Sequence, residues 1–230
     1  MQWSKGSGYH LLLVGLVVCF GILVPGCGSL HQTTIVGEDD RWVCPEFADL
    51  PLRQGLFEEA IQQHLRVLAG EPDNALAHYH LGYAYGRLEA HYEEVAEYLK
   101  AIDLGLMRDD LFYNLGMTYG ELGAYKQAEQ ALARAVSIAP DNGENHRALG
   151  VAYYHQERFL EAIDSCRQAT ILEPDNPNAW HCLALALAGA GRIEEARAAL
   201  EQLRQLDSSY PLDTPLLDLL EAPGRGNESP

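Results

Sequence analysis

The chain has 230 residues, 47% apolar, with 16 Lys and Arg against 33 Asp and Glu and a formal net charge of −17. A balance this acidic, without a basic stripe, argues against nucleic acid and anionic headgroups as partners and suits a protein held soluble beside a negative surface. The apolar fraction is enough for a packed core.

Residues 11–24 are fourteen in a row without a charge, mostly Leu or Val, preceded by Lys5 and followed by Pro25-Gly26-Cys27. As a helix they reach roughly 21 Å, short of the ~30 Å hydrocarbon core, so residues 1–27 read as an export signal rather than a permanent span. Val24-Pro25-Gly26-Cys27 resembles a bacterial lipobox. The resemblance implies lipid attachment to the Cys27 sulfur, cleavage before it and acylation of the new amine; an ordinary cleaved signal and an uncleaved anchor are the alternatives. Several acyl chains on one cysteine give stable anchoring, where one alone is marginal. Gly28 after the cysteine implies, by the same resemblance, passage to the outer membrane of a bacterium that has one, with the remaining chain in the periplasm. Residues 28–40 read as a flexible tether spanning about 20 Å.

Beyond the tether a marker returns at a fixed step of 34 residues: Leu81-Gly82, Leu115-Gly116, Leu149-Gly150, Leu183-Ala184. A period in this range is the signature of a solenoid, in which each unit buries its apolar face only against its neighbours. Five units follow, 41–74, 75–108, 109–142, 143–176 and 177–210, and the 34 positions of each define columns. Column eight is small throughout (Ala48, Gly82, Gly116, Gly150, Ala184), as a close helix approach requires. Column eleven holds Tyr85, Tyr119, Tyr153 and Leu187 on the same helical face as the apolar pair. Column twenty holds Ala60, Ala128, Ala162 and Ala196, and column twenty-seven Ala101, Ala135 and Ala169. Pro72, Pro140 and Pro174 stop a helix, and the Asp-Asn after each supplies oxygens to cap the next.

Repeat two has Glu94 where the alanine belongs; the expectation is that Val95 takes that role, after a turn, Leu88-Glu89-Ala90-His91, that is one residue longer than in the other repeats and before a helix that is one residue shorter. Pro45 and Pro51 are expected to break the first helix of repeat one, whereas its second helix, 57–69, fits.

The pattern large-x-x-Leu-Gly-x-x-Tyr, then Ala-x-x-x-aromatic, then Ala and Pro resembles the tetratricopeptide repeat over 170 of the 230 residues, 41–210. The resemblance implies an all-α, right-handed superhelical solenoid of about five helical hairpins. Thr214-Pro215 opens a further short helix within 211–222, whose Leu216, Leu217, Leu219 and Leu220 are placed to cap the last repeat, and 223–230 read as a disordered tail.

With columns three, seven and ten facing the core, columns two, five, nine and twelve form a separate stripe. In the family this stripe lines a concave groove. Tyr79, Tyr83, Tyr113, Met117, Arg147, Val151, Tyr154, His181 and Leu185 fall on it. Tyr and Arg are frequent interface anchors, and the alternative is that some of these tyrosines pack within the solenoid. Asn114, in column six, resembles part of the carboxylate clamp of chaperone-binding relatives, but the accompanying Lys-Asn and Lys-Arg pairs are absent, so an acidic C-terminal peptide is not the expected ligand.

Other constellations are thin. Of five cysteines, Cys44, Cys166 and Cys182 remain after Cys19 and Cys27. Cys166 and Cys182 read as small buried side chains on adjacent helices, with a bridge requiring Cα atoms within ~7 Å. His78 and His80 are two apart and point away from each other on a helix, no H-x-x-x-H pair exists, and His78 and His146 share column four, where the family has a large ring. No metal or cofactor is expected. Neither a phosphate loop nor a nucleophile with a base is evident, and Glu58-Glu59 and Glu194-Glu195 suit helix starts.

The whole reads as a membrane-anchored, non-catalytic adaptor that binds a protein partner in assembly of a bacterial envelope complex. It resembles the lipoproteins that support assembly of type IV pilus secretins. Relatives that serve outer-membrane protein insertion or peptidoglycan hydrolases share the same repeat and lipobox, and a self-associating structural protein is a further alternative.

Overall fold

The computed structural model describes residues 43–212 and Leu216. The expected signal, Cys27, the tether, the tail and all of the capping segment except 211, 212 and Leu216 lie outside the described residues. Those described form ten helices in five hairpins: α1 (Glu46–Gln54) with α2 (Phe57–Gly70), α3 (Ala75–Gly86) with α4 (His91–Asp103), α5 (Asp109–Glu121) with α6 (Tyr125–Ile138), α7 (Gly143–His155) with α8 (Phe159–Leu172), and α9 (Pro177–Gly189) with α10 (Ile193–Leu206). None of these helices is long and apolar enough to cross a membrane.

Local chemistry sets each boundary. The side-chain oxygens of Asn74, Asn142 and Asn176 accept backbone N–H groups at the starts of α3, α7 and α9. Every hairpin turns through one left-handed residue in column fifteen: Gly55, Gly123 and Gly191, but also Glu89 at φ 60° and Glu157 at φ 58°. Its N–H and the next one donate back into the helix, as in Ala124 to Tyr119 and Gly123 to Gly120, which satisfies the terminal carbonyls.

Two helix expectations are corrected. The first helix of repeat one is continuous over nine residues, because Pro45 stands at its N-cap and the buried Pro51 ring is accommodated inside it. In repeat two the turn spans four residues, 87–90, one more than in repeats three to five as expected, but the extra residue comes from the early end of α3 at Gly86; α4 starts in register, so Glu94, not Val95, occupies the alanine column and is buried there. Only the C-terminal end of α4 is one residue short of α2, α6, α8 and α10.

Packing follows one rule, large into small. A Cβ on Gly82 would lie 2.7 Å from the Tyr98 ring, on Gly116 2.5 Å from Leu132 Cγ, and on Gly150 2.5 Å from Cys166 Sγ. The knobs all stand in column twenty-four of the same repeat, and Tyr98, Leu132 and Cys166 are buried at 2% exposure or less. In repeats two, four and five a column-four ring closes the repeat onto the preceding proline: Pro carbonyls accept from His78 Nε2 (3.0 Å), His146 Nε2 (2.9 Å) and Trp180 Nε1 (2.8 Å). At the far end Leu216 is helical and fully buried against the cluster that contains Leu200 and Leu203.

Cys166 and Cys182 are joined in a disulfide, with Cα atoms 5.6 Å apart and a sequence separation of 16. This corrects their reading as separate small side chains. Column twenty-four of one repeat faces column six of the next, and two cysteines at those columns are within bonding range. Cys44 is free and buried. Reduction is expected to cost about 2–4 kcal/mol of stability, read from urea unfolding with and without reductant. A Cys166→Ala, Cys182→Ala variant should show no such sensitivity.

Candidate functional site

The first helices of successive repeats touch one another, α1 with α3, α3 with α5, α5 with α7 and α7 with α9, whereas among the described residues no second helix touches another second helix. Odd-numbered helices therefore crowd along the inner side of the stack. Three cavities lie along them. One of about 380 Å³ is lined by Asp49, Leu52, Arg53, Tyr79, His80 and Tyr83. The next, about 150 Å³, runs from Tyr83 past Arg87, Glu94, Tyr98 and Asn114 to Met117. The third, about 210 Å³, continues from Met117 to Val151, floored by Ala128, Leu132 and Ala148. Neighbouring cavities share Tyr83 and Met117, so they form one row.

The expected groove residues divide between this row and the core. Column nine lines it: Tyr83, the 37%-exposed Met117 and Val151. The Tyr83 hydroxyl accepts from Arg87 Nη1 at 3.2 Å, and the same guanidinium lies 4.7 Å over the Phe57 ring. Column five goes deeper. Tyr79 is 8% exposed and packs 5.8 Å from the Tyr98 ring, with the Arg108 guanidinium over its own ring at 5.4 Å and Asn114 Nδ2 donating to its hydroxyl at 3.4 Å. Tyr113 is half-buried between two core clusters. Arg147 is held by Glu144 at 2.7 Å. Tyr154 meets Phe159 edge-on at 5.7 Å, His181 lies 5.4 Å from the Tyr210 ring, and Leu185 packs on the last core cluster. The stripe missed Tyr125 and His155, whose rings stack at 4.6 Å in the third cavity. Tyr125 opens a second helix, and His155 stands in column thirteen at the end of α7, one position beyond the stripe.

Charge within the row is uneven. Burial raises the Glu94 carboxyl above the ordinary carboxylate range, against the opposing contacts of Thr118, His91 and Tyr98. Gly86 leaves the space that this carboxylate fills, since a Cβ there would collide with it. Burial raises the Tyr98 and Tyr79 hydroxyls too, assisted by Glu94 and Asp110 respectively, and lowers His80. The inner face thus offers apolar hollows flanked by Arg53, Arg87, Glu94 and Glu121.

A stacked array of helical hairpins with small residues at every close approach and an inner row of hollows defines the repeat class, and sequence comparison gives its name. Profiles of the tetratricopeptide repeat match residues 113–177 and 153–211, and a TPR repeat profile matches 49–88. The chain is a tetratricopeptide repeat protein. Among curated proteins nothing matches it. Solved structures with the same fold include YrrB, a TPR protein with an unusual peptide-binding site, at 24% identity over 72% of this chain and 85% of that one, TM-score 0.67. MamA is similar at 21% identity over 72% and 97%, TM-score 0.68, and MamA from Desulfovibrio magneticus RS-1 at 22% over 73% and 94%, TM-score 0.68.

Glu94 generates a prediction with a definite sign. A carboxyl whose folded pKa is raised binds its proton more tightly in the folded state, so its ionisation lowers stability as pH rises above the unfolded value, about 4.3. Glu94→Gln should therefore raise the urea midpoint at neutral pH, with the gain shrinking as pH falls towards that value. A gain independent of pH would assign the effect to packing.

Proposed function

We propose that the protein is a non-catalytic adaptor whose inner face holds a segment of a partner protein, and that Cys27 carries the lipid that fixes it to the bacterial envelope. Tetratricopeptide repeats are protein-interaction scaffolds, and the row of hollows joined through Tyr83 and Met117 carries the first part of the reading. Large side chains of an extended or helical segment would seat in successive hollows, while Arg87 and Arg53 pair with its acidic groups. The peptide-binding site described for YrrB supports this reading. The lipobox-like Val24-Pro25-Gly26-Cys27 supports the anchor, and a short tether would hold the groove near the membrane. Within envelope assemblies, the system we propose is assembly of a type IV pilus secretin, on the resemblance to its lipoproteins alone, since outer-membrane protein insertion and peptidoglycan hydrolysis are served by the same lipobox and repeats.

The test is capture from detergent-solubilised membranes with mass spectrometry, comparing three proteins. Parent should bring down a stoichiometric partner. Tyr83→Ala with Met117→Ala should lose it by about thirtyfold in affinity, the equivalent of removing ~2 kcal/mol from a central anchor, with helicity and membrane sedimentation intact. Cys27→Ser should keep the partner in vitro and lose membrane sedimentation and fatty-acid labelling. Retained binding by the folded double variant would move the interface off the inner face.

A further inference from the structure

At the first end of the solenoid four chemically matched side chains converge from four segments. They are Cys44, just before α1, Asp49 on α1, His64 on α2 and His80 on α3; one donor atom from each lies within 4.8 Å of all the others. His64 is fully buried, Cys44 is 9% exposed, and the two imidazole rings meet edge-on with centroids 5.4 Å apart.

The proton positions make the arrangement unusual. His64 Nδ1 lies 2.8 Å from the Ala60 carbonyl oxygen, which only accepts, so this nitrogen carries a proton. In the neutral ring Nε2 then presents a lone pair, and it faces Asp49 Oδ1 at 3.2 Å. His80 Nδ1 lies 2.8 Å from the same oxygen, outside hydrogen-bonding geometry, and finds no other partner although it is buried. Two imidazole nitrogens, a carboxylate oxygen and a sulfur thus gather within 4.8 Å of one another, and His80 Nδ1 among them is buried without a hydrogen bond, which is costly. A cation at their centre turns these unfavourable approaches into bonds.

We propose that Cys44, Asp49, His64 and His80 form a zinc site. Two nitrogens, one sulfur and one oxygen are a borderline-soft set that suits tetrahedral Zn²⁺. Ligand atoms around such an ion stand ~3.3–3.8 Å apart, so closure needs only small side-chain rotations. The Ala60 carbonyl fixes the His64 tautomer and ring plane, as outer partners of metal-bound histidines do. Access is through the 380 Å³ cavity, which Asp49 and His80 line. Four protein ligands leave no open position, so the role is structural. The ion ties α1, only nine residues long with an internal proline, to α2 and α3, which staples the terminal repeat as a solenoid end requires.

The test uses the full-length protein and Co²⁺ and Zn²⁺ as probes. Parent protein should bind one Co²⁺ with a thiolate-to-cobalt charge-transfer band and strong tetrahedral d–d absorption, be displaced by Zn²⁺, and unfold at a higher temperature with Zn²⁺ than with chelator. His64→Leu keeps the fold, because column twenty-four carries Leu132 and Leu200 in other repeats, and should weaken Zn²⁺ at least ~10–100-fold. Cys44→Ser should abolish the charge-transfer band. Absence of that band in the parent, or Zn²⁺ stabilisation surviving in His64→Leu, would overturn the site.

Discussion

The fold depends on one steric relation, a large side chain in column twenty-four pressed into the gap left by a missing side chain in column eight. Tyr98 on Gly82, Leu132 on Gly116 and Cys166 on Gly150 are three instances of it. The contact brings the two helices of a hairpin close enough for the turn to close in two to four residues. It also sets what the next repeat meets, because the knob in column twenty-four faces column six of the following first helix. The inner row of first helices, and with it the hollows between Tyr83, Met117 and Val151, is the cumulative result of repeating that contact.

Much of this was legible because period and side-chain size are one-dimensional properties. The 34-residue step gave the hairpins, the column of small residues gave the close approach, and Asn74, Asn142 and Asn176 gave the caps that the structure uses. Substitutions that break a column were harder to read. A carboxylate is a poor tenant of an alanine column, yet Gly86 makes room for Glu94 there and α4 starts in register. Pro51 was read as a breaker, although a proline ring at a buried position with the helix ending one turn later costs little regularity.

The hidden relations all run between repeats. Cys166 and Cys182 are separated by 16 residues, as are His64 and His80, and both pairs occupy columns twenty-four and six. Local searches for C-x-x-C or H-x-x-x-H cannot find partners that only the hairpin brings together. One geometric slot thus holds a disulfide near the far end and paired imidazoles at the near end. Tyr79 shows a related limit: a helical wheel gives the direction in which a side chain leaves its helix, not that residues of α4 and α5 pack against it while it still lines the first cavity. Column nine is the column that recurs in all three cavities, as Asp49 and Tyr83, then Met117, then Val151.

The steric relation is tested most directly by one substitution made twice in one helix. Gly116 and Gly120 both lie in α5; a Cβ on the first meets Leu132 Cγ at 2.5 Å and the Ala128 carbonyl at 3.3 Å, and a Cβ on the second meets nothing within 4 Å. Urea unfolding of Gly120→Ala should show a gain of up to about 1 kcal/mol from helix propensity alone. Gly116→Ala should show a loss of about 1 kcal/mol or more, the overpacking outweighing the same propensity gain. Equal gains at both positions would mean that column eight is not a close contact, and the account of the solenoid built on it would fail.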